Sequence, residues 1–415
     1  MGETPSPIGN ESAKDLPVPP SIAADQLTGV ERFRRRITQG ELGSIPVIAG
    51  LIVIWVVFQS LNSNFLSPRN LTNLMVQIAD IGTISVGIVL VLLLGEIDLS
   101  VGSVSGLGTG VMAVLQVKHG VPAIIAVPVG ILTGTLIGLI QGFWFTRFKI
   151  PSFVVTLSGL LAWQGALILV LGTTGTINLF DPGIDAIAGN FLTPIEGWIV
   201  AIVAVVVFIG GMFMTRRRRA AAELEVQPLA GMAARGAVAA VLVLVAVYVL
   251  NSDRGVPFAA LILVGFVVFF DFVVRRTTFG RHILAVGGNA EAARRAGISV
   301  TGIRLAVFTL AGTMAATGGI IAASRLLAVN QSSGSGDVLL NAIAAAVIGG
   351  TSLFGGRGTV WAALTGALVI GSISNGLDLL ALSAAIKFMV TGGVLLAAVT
   401  VDAVARQGRQ SAGRA

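Results

Sequence analysis

The chain has 415 residues, of which 54% are hydrophobic and 11% charged, with a mean hydropathy of +0.91 and a net charge of +7. A soluble domain carries about 25% charged residues, so the composition excludes an ordinary soluble protein and predicts an all-α polytopic membrane protein whose solvent is the lipid bilayer. The chain has no cysteine, which excludes disulfides, thiolate metal sites and a cysteine nucleophile.

Met1 to about Gly43 is polar, carries several prolines and lacks the apolar stretch of a cleaved signal. Residues 1–43 are expected to form a mostly disordered tail. Arg32, Arg34, Arg35 and Arg36 precede the first apolar run, which predicts a cytoplasmic N-terminus. About twelve apolar segments follow, near 44–61, 74–95, 99–117, 122–145, 152–173, 197–214, 234–250, 256–274, 303–324, 338–350, 359–379 and 383–403. Runs of roughly 17 to 24 apolar residues can cross a bilayer as helices. A membrane domain over 44–403 with 10 to 12 transmembrane helices is expected, short segments such as 338–350 being candidates for re-entrant or broken helices. Alternation from a cytoplasmic start puts Arg147, Lys149, Arg216 to Arg219, the loop of about 275–302, Arg357 and a tail over 404–415 inside, and Asp181, Asp185 and Glu196 outside. Basic residues that sit mostly in loops beside apolar runs read as the membrane-topology signature and not as a nucleic-acid surface.

Two glycine ridges, Gly102/Gly106/Gly110 and Gly134/Gly138/Gly142, each line one helix face and predict close helix contact. Val91–Ser103 (VLLLGEIDLSVGS) and Val347–Thr359 (VIGGTSLFGGRGT) echo one another as apolar helices running into glycine-rich breaks at the same membrane side. Internal repeats are common in transporters, whose substrate sites lie at the repeat interface.

Few residues could carry chemistry. Glu96 and Asp98 sit between two apolar segments, and a carboxylate within a membrane domain is a functional candidate by default. Asp98 could equally cap the next helix, with Ser100 as the alternative cap. Gln141, Gln164, Asn341, Asn375 and Asp378 are polar positions on apolar helices, suited either to weak multiple hydrogen bonds with a polar solute or to bonds between helices. Lys387 is expected to pair with Asp378 or to reach the interface. His119 and His282 lie near loops, and no metal-ligand cluster is seen. Gly287–Ser299 (GGNAEAARRAGIS) predicts a short surface helix: Asn289 as N-cap, Glu291 in the first turn, Gly297 past the end.

Within that stretch Glu291, Ala292, Ala293 and Gly297 resemble the Glu-Ala-Ala, three residues, Gly pattern in the cytoplasmic loop of permeases of ATP-binding-cassette importers. Gly95–Gly102, with its Ile-Asp-Leu-Ser-Val-Gly string, is similar to the signature of the ribose and xylose permease branch. Phe65–Asn73 (FLSPRNLTN), Ala285–Ile298, Leu340–Gly358 (LNAIAAAVIGGTSLFGGRG) and Gly371–Leu380 (GSISNGLDLL) continue the resemblance in the same order, and the long middle region from Asp181 to Val274 is most like xylose-type permeases.

The resemblance implies the permease fold of these importers, in a bacterial inner membrane with both termini cytoplasmic. It implies a non-enzymatic pore subunit for a monosaccharide, a pentose such as xylose, working as a homodimer with an ATPase subunit and an external sugar-binding protein. Gly288, Asn289, Glu291, Ala292, Ala293 and Gly297 are then expected to couple to the ATPase, and Glu96, Asp98, Ser100, Asn341 and Asn375 to lie along the translocation pathway. No cofactor is expected in this chain: the phosphate loop GxxxxGK[ST] is absent, so ATP belongs to the partner. The rival reading is a secondary sugar facilitator that needs no ATPase.

Overall fold

A computed structural model describes residues 45–226 and 228–411. The chain divides into two units, residues 44–402 and the terminal stretches 1–43 with 403–415; the first is the membrane body. The expected tail over 1–43 lies outside the described residues. Among them are fifteen helices: α1 (Ile45–Leu61), α2 (Pro68–Leu93), α3 (Val101–Ala113), α4 (Ala123–Phe148), α5 (Ser152–Leu171), α6 (Pro182–Gly189), α7 (Pro194–Ala221), α8 (Leu229–Asn251), α9 (Phe258–Arg276), α10 (Thr278–Gly288), α11 (Ala290–Arg295), α12 (Val300–Leu326), α13 (Gly336–Ile348), α14 (Trp361–Leu379) and α15 (Ala384–Ser411). Two short strands, β1 (Thr176–Asn178) and β2 (Ala328–Asn330), pair antiparallel.

Each apolar segment expected from the sequence contains one helix. Eight of these helices (α2, α4, α5, α7, α8, α9, α12 and α14) are long and apolar enough to cross a membrane. The 338–350 segment is the 13-residue α13, which at 1.5 Å per residue reaches about 20 Å and falls short of the ~30 Å hydrocarbon core. The last helix runs on to Ser411, past the expected limit at 403.

Helix starts follow local chemistry. Ser67 and Asp181 cap α2 and α6 through their side-chain oxygens, each followed by proline at the first helical position. Thr193 caps α7 while Glu196 reaches back to the Thr193 amide at 2.8 Å, closing a reciprocal capping box. α2 and α12 form the centre: α2 packs on α9, α12, α13 and α14, and α12 packs on α3 and α4. Both bury most of their residues, whereas α7 and α8 stay largely exposed with apolar side chains all round, as expected of lipid-facing helices.

The glycine ridges do two jobs. A Cβ on Gly134 or Gly138 would overlap the backbone oxygens of Gly312 and Phe308, so α4 and α12 meet backbone to backbone. Gly110 receives the Leu167 side chain of α5. Gly102 and Gly106 instead receive the Gly334 and Ser333 carbonyls, from a loop and not from a helix.

The two ends of the body differ in charge. One end gathers Arg147, Lys149, Arg216 to Arg219, Arg275, Arg276, Arg294, Arg295 and Arg357. The other carries β1, β2, Asp181, Asp185, Glu196 and Asp253, with Arg69, Lys118 and Arg254 as scattered single cations among them. α1 starts at the basic end and finishes beside the end of α14, where the Asn62 side chain donates to the Leu379 carbonyl.

Candidate transport site

At the basic end the predicted surface helix is present. Thr277 caps α10, and Ile283 and Val286 bury one face of it. Asn289 Oδ1 accepts the Ala292 amide at 2.9 Å, starting α11. Gly297 follows at φ +81, a left-handed conformation that favours glycine. Glu291 pairs with Arg294 at 2.9 Å and Arg295 at 3.5 Å, all three exposed. Gly288, Asn289, Ala292 and Gly297 are also exposed, but Ala293 is only 4% exposed. Ala293 therefore seats the helix on the body, and the outward face consists of the other five.

Behind α11 three glycine-rich breaks converge. Gly356 N donates to Leu93 O at 2.9 Å. A Cβ on Gly287 would overlap Leu93 O, and Gly355 rests on Gly95 and Gly287. The two echoing segments of the sequence thus touch each other and the α10–α11 loop at one point.

The Gly95–Gly102 signature lies beside this junction, with Asp98, Ser100, Val101 and Gly102 buried. Glu96 pairs with Arg304 of α12 at 2.7 Å, and the Arg304 guanidinium lies over the Phe145 ring at 5.0 Å. Asp98 Oδ1 accepts the Ser100 amide at 2.8 Å and its hydroxyl at 2.6 Å, so Asp98 orders the turn into α3 while Ser100 makes no side-chain cap of its own. Ser100 Oγ also lies 3.0 Å from the Gln141 amide. The atom facing it is Gln141 Oε1, an acceptor, so the one hydroxyl proton is shared between the carboxylate and the amide oxygen. Asn375 accepts from Asn70 at 2.7 Å and donates to Gln77 at 3.1 Å, tying α14 to α2. Gln164 donates to the Gln331 carbonyl at 2.6 Å, and Lys387 pairs with Asp378.

A cavity of about 510 Å³ lies between α2, α3, α12 and the β2–α13 loop, inside the range of about 300–1,000 Å³ typical of small-molecule sites. Of the five expected pathway residues, Asn341 lines it; Glu96, Asp98, Ser100 and Asn375 do not. The loop begins at the β1–β2 ladder, where Asn330 faces Thr176. Asn330 Oδ1 accepts the Ser332 amide at 2.8 Å, and Gly334 turns at φ +74 against Gly102. The loop dips inward as a result, bringing Ser332, Ser333 and Asp337 to the cavity wall.

Two wall residues escaped the sequence reading. Asp80 on α2 is 5% exposed, and its Oδ2 accepts from Arg325 of α12 at 3.1 Å. The signal was available: Asp80 is a carboxylate inside the 74–95 apolar run and Arg325 immediately follows the 303–324 run. Only the packing of α2 on α12 makes them a pair. The result is a chamber with two carboxylates, Asp80 buried and Asp337 exposed, one partly exposed cation and several amides and hydroxyls. It can offer a small polyol several hydrogen bonds.

The family described as branched-chain amino acid transport system / permease component matches residues 70–399. The xylose transport system permease protein XylH of Escherichia coli is 39% identical over 362 residues, 87% of this chain and 92% of that protein. The ribose import permease protein RbsC of Bacillus subtilis is 31% identical over 363 residues, 88% and 94% of the two chains. The L-arabinose ABC transporter permease protein AraH of Azospirillum brasilense is 29% identical over 367 residues, 88% and 89%. No solved structure significantly matches this chain.

Proposed function

The chain belongs to the branched-chain amino acid transport system / permease component family, and from that membership we propose that it is the pore-forming subunit of an ATP-driven importer for a monosaccharide. A pentose, xylose first among them, is the proposed cargo, because the xylose permease shares more identity than the ribose or arabinose permeases. The observation that carries the reading is a polar chamber whose loop belongs to the acidic end, with an exposed docking helix at the opposite, basic end. The basic end is assigned to the cytoplasm, which makes both termini cytoplasmic. The partners are an ATPase subunit at α11, an external sugar-binding protein at the acidic end and a second copy of this chain.

The pathway is assigned to Asn341 with Asp80, Arg325 and Ser333. Glu96, Asp98, Ser100 and Asn375 are assigned to holding the helices around it. This division is testable. Asn341→Ala is expected to raise the apparent KM for uptake about fivefold, roughly 1 kcal/mol of lost hydrogen bonding. Asn375→Ala is expected to lower unfolding stability by about 1 kcal/mol with sugar preference unchanged. The reverse pattern would overturn the division.

Gly297→Trp tests the docking face. Nothing lies within 4 Å of a Cβ there, so the cost in folding is only the strain of positive φ, about 1–2 kcal/mol. Co-purification of the ATPase subunit is expected to be lost while the chain still elutes as folded protein. The class itself is decided in vesicles holding this chain, the co-encoded ATPase and the binding protein: xylose accumulates only with ATP if the reading holds. Uptake by the chain alone, driven by an ion or sugar gradient, would make it a facilitator.

A further inference from the structure

We infer that the groove between the basic ends of α7 and α9 is a binding site for one anionic phospholipid. This site is independent of the sugar pathway. On each helix an apolar residue precedes an arginine by four positions, Met214 before Arg218 and Phe272 before Arg276, which puts both pairs one turn apart on a single face. Arg219 and Leu224 complete the walls of a cavity of about 810 Å³. α7 packs on α8 while α9 packs on α2 and α14, so among the described residues no helix fills the space between them.

Arg275 pairs with Asp271 at 2.8 Å, and Arg217 sits over the Phe213 ring at 4.8 Å. Glu223 and Glu225 lie in the turn after α7. Among the described residues no carboxylate pairs with Arg218, Arg219 or Arg276. Three unpaired guanidiniums above an apolar wall ask for a ligand with a negative head and an apolar body. A phosphodiester headgroup meets the first demand and its acyl chains, covering Met214 and Phe272, meet the second. A soluble anion would leave the apolar wall bare, which is why the lipid is the occupant.

The test uses the purified full-length chain exchanged against equimolar phosphatidylglycerol and phosphatidylcholine with identical acyl chains, read by native mass spectrometry. The wild-type chain is expected to retain phosphatidylglycerol about tenfold over phosphatidylcholine, given the attraction of a few basic residues for an anionic headgroup. Arg218→Gln/Arg276→Gln is expected to abolish the preference. Arg217→Gln removes the same charge from the same helix but outside the groove, and is expected to keep it. Should the double variant aggregate, each single variant is read, with a roughly threefold loss expected. An undiminished preference in the groove variants, or an equal loss in Arg217→Gln, overturns the site. Displacement of the lipid by inorganic phosphate at equal concentration would assign the arginines to a soluble anion and overturn the lipid.

Discussion

Replacing Arg325 by Gln is expected to lower the folded stability by about 3 kcal/mol, the low end of the range for removing one partner of a buried ion pair. Asp80 sits inside α2 with 5% of its surface exposed, so without the guanidinium it stays charged in a poor solvent or must take up a proton. Arg325 is about a third exposed, so Asp80→Asn, which strands only a cation that can reach the chamber, should lose about 1 kcal/mol. The double variant Asp80→Asn/Arg325→Gln leaves no buried charge and should recover most of the stability lost in Arg325→Gln. Unfolding in detergent micelles measures all three. Uptake separates two roles for the pair. A pair that contacts sugar leaves the double variant stable but with KM raised about tenfold or more. A pair that only holds α2 to α12 gives back uptake together with stability, and that result would remove Asp80 and Arg325 from the pathway.

Gly287→Val is expected to abolish ATP-driven uptake, whereas Gly288→Ala next to it should leave the glycine junction unstrained. A Cβ on Gly287 overlaps the Leu93 carbonyl and approaches the Gly356 amide at 2.8 Å, both backbone atoms with no side chain to swing aside. A Cβ on Gly288 meets nothing within 4 Å. Overpacking of this kind costs about 1–3 kcal/mol and is relieved by backbone shifts, and the segment free to shift is α10–α11. The proposed docking helix would be displaced from the two glycine breaks that, on that proposal, carry movement at the ATPase to α2 and α13. ATPase turnover by the assembled complex, no longer raised by loaded binding protein, is the readout. Normal stimulated turnover in Gly287→Val would mean that the glycine junction does not transmit the stroke.

Much of the architecture was legible from periodicity and composition. Apolar runs must become helices, since a bilayer leaves no partner for an unpaired amide, and each predicted run is one helix. The Asn289 cap, the Gly297 turn and the Lys387–Asp378 pair were equally local, because each is settled within a few residues. The ridge Gly134/Gly138/Gly142 was read correctly as a contact surface, yet Gly102/Gly106 has the same spacing and holds a loop. Spacing fixes which residues share a face and says nothing about what covers it.

The site was legible only in part, for the same reason. Polar residues on apolar helices were visible as candidates, but hydrogen bonding to a neighbour and facing a cavity leave the same mark on the sequence. Asn375 and Asn341 look alike in one dimension; α2 supplies Asn70 and Gln77 to the first, while the dipping β2–α13 loop leaves the second at a wall. Asp80 and Arg325 are 245 positions apart, and no local rule joins them. By itself the sequence determined the class, the helices, the charge asymmetry and the capped surface helix α11, all set by short-range chemistry and by the bilayer. Which buried charges meet, which polar groups are already satisfied and where a chamber remains were decided by tertiary packing, since each depends on what a distant helix brings to the same few ångströms.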